Sequence, residues 1–186
     1  MTIRCAQPAD AQAISRLHAC SWQTAYRGIL RDDFLDGPVM ENRRVLWNTR
    51  LADIHENNQI IVLDEQDGKI RGFACAFLDA DPQWGTLLDN LHVDPGLKGK
   101  GLGRQLMSVV ANRMLQSGAR PQLHLWAYEQ NVLARRFYEG LGGVVCRSQA
   151  ELAPDGTSVD AICYGWRQSS GLAAYQLVNF EIENSS

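Results

Sequence analysis

Gly99, Gly101 and Gly103 alternate with Lys98, Lys100 and Leu102, Arg104 follows, and a helical pattern begins at once behind them. The chemistry that such a turn serves is anion binding. The first turn of a helix has backbone N–H groups with no intrahelical acceptor and a partial positive charge. Glycine lets the backbone approach an anion closely and adopt positive φ, and the three cations add charge. A pyrophosphate suits this cradle. A flexible, solvated turn is the plainer reading. Each glycine at a helix start, however, weakens the helix by about 1 kcal/mol relative to alanine, so this density calls for a reason. Two phosphate motifs fail on inspection. A P-loop starting at Gly96 has Leu102 and Gly103 where lysine and a hydroxyl residue belong. A dinucleotide turn starting at Gly99 has Arg104 in place of its third glycine and no acid between Leu115 and Tyr128.

A second stretch lies downstream: Asn131, then Ala134-Arg135-Arg136-Phe137-Tyr138-Glu139-Gly140-Leu141-Gly142. Together with Leu91-His92-Val93 and the glycine turn, it resembles the GNAT superfamily of N-acetyltransferases. That family has a strand ending in valine, an Arg/Gln-x-x-Gly-x-Gly/Ala turn opening a helix, and later an asparagine before an Ala-x-x-Phe-Tyr helix. Lys98, Gly101 and Gly103 take the turn positions, Lys98 departing from the usual Arg or Gln; Gly143 stands where phenylalanine is common.

The resemblance implies acetyl-CoA as cosubstrate, no metal, and transfer without an acyl-enzyme. The strand ending at Val93 is expected to splay from its neighbour, so that pantetheine pairs with the free backbone of Leu91, His92 and Val93 like an added strand. The Val93 N–H would face the thioester oxygen. Lys98, Gly99, Lys100, Gly101, Leu102, Gly103 and Arg104 would hold the pyrophosphate. Tyr138 is the expected general acid for the departing thiolate, its phenol having an ordinary pKa near 10; packing beside Phe137 is the alternative. Asn131 is expected to contact pantetheine, to cap its helix, or both. For the base, Leu87 and Trp126 stand near the places where some family members carry glutamate. Asp89, His92 and Glu129 are the nearby titratable groups. His92 is preferred because imidazole titrates near neutrality; a water chain is the alternative. Strand alternation separates Asp89 from His92 unless a bulge intervenes. Trp22, Tyr26 and Trp126 suit an aromatic acceptor pocket or core packing; His18 and His124 suit structural roles.

These residues need elements to position them. A strand is expected over Ile3 to Gln7, then a helix opened by Pro8 and Asp10 and broken around Gly28. A helix from Val39 to Ala52 would face Val45, Leu46 and Leu51 inward. Strands Ile60 to Leu63 and Ile70 to Leu78 form a hairpin about Asp67-Gly68. Leu87 to Val93 is the next strand. Leu102, Leu106, Val110 and Met114 make one stripe of a helix stopped by Gly118. Strand Leu123 to Ala127, helix Asn131 to Leu141, and strands Val144 to Arg147 and Val159 to Trp166 complete the series.

The chain of 186 residues is 45% hydrophobic with net charge −3, which suits one folded domain and argues against general nucleic-acid binding. No apolar run reaches the roughly 18 residues of a membrane span, and the first residues do not form a secretory signal. Cys5, Cys20, Cys75, Cys146 and Cys163 are odd in number and widely spaced, as expected of buried thiols in a cytoplasmic protein. His55-Glu56 begins a zinc-protease pattern, but Gln59 replaces its second histidine.

The expectation is therefore an α/β (α+β) fold, a GNAT-like mixed, mostly antiparallel central sheet flanked by helices, with acetyl-CoA in the splay between two central strands. Residues 1–167 form the domain. Residues 168–186 form a tail whose Val178-Phe180-Ile182 alternation suits an extra strand or a homodimer contact. The expected activity is acetyl transfer to an amine of a small molecule or a protein; a non-catalytic acyl-CoA-binding regulatory module is the alternative.

Overall fold

The computed structural model describes residues 2–52 and 59–173. Strand β1 (Thr2–Cys5) leads through a 3₁₀ turn at Pro8–Asp10 into α1 (Ala11–Ala25). A short α2 (Asp32–Asp36) and α3 (Val39–Ala52) follow. Strands β2 (Gln59–Gln66), β3 (Lys69–Asp81) and β4 (Gly85–Val93) form an antiparallel meander. Then come α4 (Leu102–Gln116), β5 (Leu123–Tyr128), α5 (Val132–Gly140), β6 (Val144–Leu152), β7 (Ser158–Trp166) and the short α6 (Ser170–Ala173).

Among the described residues seven strands join one sheet in the order β1-β2-β3-β4-β5-β7-β6, and of their pairs only β4–β5 is parallel. The mixed, mostly antiparallel sheet is as expected from the sequence. Alternation along β3 sends Ala74 and Ala76 toward α4 and Phe73 and Cys75 toward α1 and α3, so each face has its own core. The expected α4 stripe of Leu102, Leu106, Val110 and Met114 is buried on the first face. Gly72 makes the contact close: a Cβ there would lie 3.0 Å from the Leu106 side chain.

Several expectations need correcting. Val45 is 53% exposed and Leu46 half-buried. The inward stripe of α3 is Val39, Arg43, Trp47 and Leu51, four apart; an arginine on it obscured the pattern. Cys75 and Cys163 are buried, but Cys5 and Cys20 are exposed, because Cys5 lies on an edge strand and Cys20 on the outer side of α1. Strand β6 runs to Leu152 rather than Arg147. As a sheet edge with mostly exposed side chains it lacks the apolar signal that marks buried strands. His55, Glu56 and the 178–182 alternation lie outside the described residues. Within the tail, α6 docks on α4, where Asn112 Nδ2 donates to the Ala173 carbonyl at 3.2 Å.

Candidate active site

The sheet opens at its centre. Strands β4 and β5 pair only at Thr86↔Leu123 and Leu87↔His124. Beyond Leu87 the β5-facing edge of β4 has no strand partner among the described residues. The Asp94 N–H donates to the Arg71 carbonyl on β3 at 2.8 Å. Alternation therefore turns the N–H groups of Val93 and Leu91 the other way, into the gap. The side chains of Leu91 and Val93 pack on the α4-side core, so their backbone is what faces the opening.

The chain leaves this edge through a 3₁₀ turn at Pro95–Leu97 and enters the glycine turn. Gly99 (φ +78) and Gly101 (φ +86) are left-handed, and Gly101 caps α4. Having no side chain, Gly101 leaves the first amides of α4 without a side-chain acceptor. Open space surrounds both glycines, whereas a Cβ at Gly103 would come 3.2 Å from the Phe137 ring. Gly99 and Gly101 therefore serve backbone conformation, and Gly103 serves the approach of α5 to α4. Lys98, Lys100 and Arg104 are exposed beside the turn.

Helix α5 is capped by Asn131, whose Oδ1 accepts the Ala134 N–H at 3.2 Å. Tyr138 on α5 packs against the α4-side core, its ring 5.3 Å from Phe137 and 6.1 Å from Tyr164. Burial raises its pKa above the ordinary phenol value, with a smaller contribution from Tyr26. The phenol therefore stays protonated at neutral pH.

On the other face of the opening lies a cavity of about 350 Å³, whose lining includes Trp22, Tyr26, Arg43, Asp89, His92, Trp126, Tyr128 and Glu151. The three aromatics expected from sequence all reach it. A bulge does intervene on β4: Asn90 pairs with Cys75 and Leu88 with Ala76, so Asp89 is the extra residue. The bulge turns Asp89 to the face that carries His92, where it pairs with Arg50 at 2.6 Å. Glu129, by contrast, is exposed and does not line the cavity.

His92 Nδ1 lies 2.9 Å from Ser21 Oγ, and its ring lies 4.3 Å from the ring of His18. Burial first, then Arg43 and Lys98, lower its pKa to about 3. His18 is fully buried, and its Nδ1 accepts the Trp47 Nε1–H at 2.9 Å. Burial, with His92 next, holds it well below its ordinary pKa. Both imidazoles are neutral at pH 7. Arg43, Arg50, Tyr128 and Glu151 are cavity residues that the sequence reading missed. Arg43 is the polar member of an otherwise apolar i, i+4 stripe, and that was its available signal. Glu151 lies on an edge strand distant in sequence from the motifs.

The model of the acetyltransferase (GNAT) family matches residues 18–142. The chain is 26% identical over 175 residues to YuaI, an uncharacterized N-acetyltransferase of Bacillus subtilis (strain 168), covering 92% of this chain and 96% of that one. Its fold is similar to that of a PaiA N-acetyltransferase from Thermoplasma acidophilum in complex with coenzyme A (TM-score 0.68, 19% identity, covering 86% of this chain and 96% of that one). It is also similar to that of yncA from Salmonella typhimurium with its cofactor acetyl-CoA (TM-score 0.63, 22% identity, covering 96% and 97%).

Proposed function

The chain belongs to the GNAT acetyltransferase family, and on that premise we propose that it moves the acetyl group of acetyl-CoA directly to an amine seated in the cavity beside His92. The observation that carries this reading is the unpaired edge of β4, which runs into the left-handed glycine turn at the start of α4. Pantetheine extends the sheet along that edge, and the pyrophosphate sits on the turn at 98–104. Asn131 caps its helix and offers pantetheine its remaining amide donors. The five unpaired cysteines suit a reducing cytoplasm.

In this mechanism the amine attacks the thioester carbonyl. The Val93 N–H, fixed toward the gap, stabilises the oxyanion. The C–S bond then breaks, and Tyr138 gives its proton to the leaving thiolate. The amine must also lose a proton. A histidine with a pKa near 3 is a weak acceptor, so His92 serves better as a neutral wall bonded to Ser21. Glu151 reaches the cavity, and burial raises its pKa. It fits the base role better, directly or through water.

Tyr138→Phe tests the assignment. The ring and its packing remain, while the proton donor goes. With an accepted amine, kcat should fall by about 10²–10⁴-fold, and calorimetric acetyl-CoA affinity should hold. An unchanged kcat makes Tyr138 a packing residue. Acetyl-CoA binding without thiol release for any amine in a broad panel points instead to a regulatory acyl-CoA-binding module.

A further inference from the structure

The α1–α3 wall of the cavity carries two donor groups that bond to no carboxylate among the described residues. Arg43 is 8% exposed. Its guanidinium bonds to the neutral Asn42 Oδ1 and lies 4.0 Å over the Trp22 ring. Among the described residues no carboxylate pairs with it, because the nearby Asp89 is taken by Arg50 at 2.6 Å. The indole Nε1 of Trp22 is also buried with no hydrogen-bond partner among the described residues. Both side chains line the cavity. A guanidinium buried without an anion is strongly destabilising to a fold. Burial and the neighbouring Arg50 lower even its own pKa, to about 10. Glu151, also lining the cavity, makes no ion pair among the described residues. The cavity lining thus includes one cation and one carboxylate that have no ion-pair partner among the described residues, together with aromatic rings.

We propose that the acceptor is a small zwitterionic amine of the amino-acid type, its oxyanion seated on Arg43 and the Trp22 N–H and its ammonium facing Glu151. This rests on the acetyl-transfer reading of the same site and adds the substrate class. The planar guanidinium fork matches a carboxylate or a phosphorus oxyanion. About 350 Å³ accommodates a molecule of that size. Trp22, Tyr26 and Trp126 would cover an apolar side chain.

The test uses the full chain, acetyl-CoA and paired probes: L-leucine, L-methionine, L-phenylalanine and L-glutamate, each beside its α-amide. The aminophosphonate analogue of leucine separates a carboxylate site from a phosphonate site. Two readouts run in parallel: thiol release, and calorimetric binding of each probe in the presence of coenzyme A. At least one acid should exceed its amide by about thirtyfold or more in both. Arg43→Met should abolish that preference, and Arg43→Lys should retain part of it. Should Arg43→Met not fold, Trp22→Phe keeps the ring, removes the N–H and should weaken the acid but not the amide. Equal use of acids and amides, acid binding insensitive to these substitutions, or no binding of any probe overturns the proposal. Acid-selective, Arg43-dependent binding without thiol release would uphold the amino-acid site and defeat acetyl transfer. Thiol release with neutral amines alone would do the reverse.

Discussion

The two sides of the central opening are built differently. The β4 edge, the glycine turn and the N-terminus of α4 present backbone: N–H groups aimed by strand alternation at Leu91 and Val93, and amides freed by a left-handed Gly101. The cavity side presents side chains brought together from four distant parts of the chain: Trp22 and Tyr26, Arg43, His92 and Glu151. A backbone site is set by a short contiguous stretch and reads only the shape and charge of a constant ligand. A side-chain site is set by tertiary packing and can change its ligand one residue at a time.

The largest effect that would sharpen the contrast is on stability against pH. His18, buried, and His92, half-buried, lie on the cavity side with lowered pKa values, His92 to about 3. An unfolded chain protonates both near pH 6.5, whereas the folded chain does not. Their contribution is therefore complete above about pH 6.5 and is lost as pH falls, in the case of His92 down to about 3. Within that window His92 contributes a slope of about 1.4 kcal/mol per pH unit, and His18 adds to it in the same direction. Urea unfolding between about pH 6.5 and 4.5 should show it, and His92→Gln should remove roughly one proton from the slope. An unchanged slope would mean that His92 is solvated and the cavity wall looser than described.

Gly101→Asp acts on the backbone side. It puts a carboxylate and a strained left-handed residue at φ +86, where no neighbouring atom blocks it. Acetyl-CoA affinity should fall more than tenfold, about 1.4 kcal/mol or more, with the fold retained. An unchanged calorimetric affinity would place the pyrophosphate elsewhere and break the comparison.

The contrast also explains what could be read from the sequence. The turn at 98–104 and the Asn131–Gly142 stretch were legible because backbone conformation depends on local residue types. The α4 stripe was legible because all four of its positions are apolar. The α3 stripe was not, since Arg43 occupies one of its turns and breaks the apolar repeat. The Asp89 bulge depends on the register of β3 against β4, a pairing that no single segment encodes. Glu151 sits on an edge strand whose exposed residues give little alternation, and only the approach of β6 brings it to the cavity. Local chemistry announced the glycine turn, and long-range packing concealed the cavity lining.

The central claim is that acetyl-CoA binds to backbone on the open edge of β4. Amide hydrogen exchange with and without acetyl-CoA tests it most directly. The N–H groups of Leu91 and Val93 and those of 101–104 should exchange more slowly on binding. Those of His92 and Asp94, already turned toward β3, should change little. Equal exchange at Leu91 and Val93 in the two states, with acetyl-CoA bound, would contradict the account.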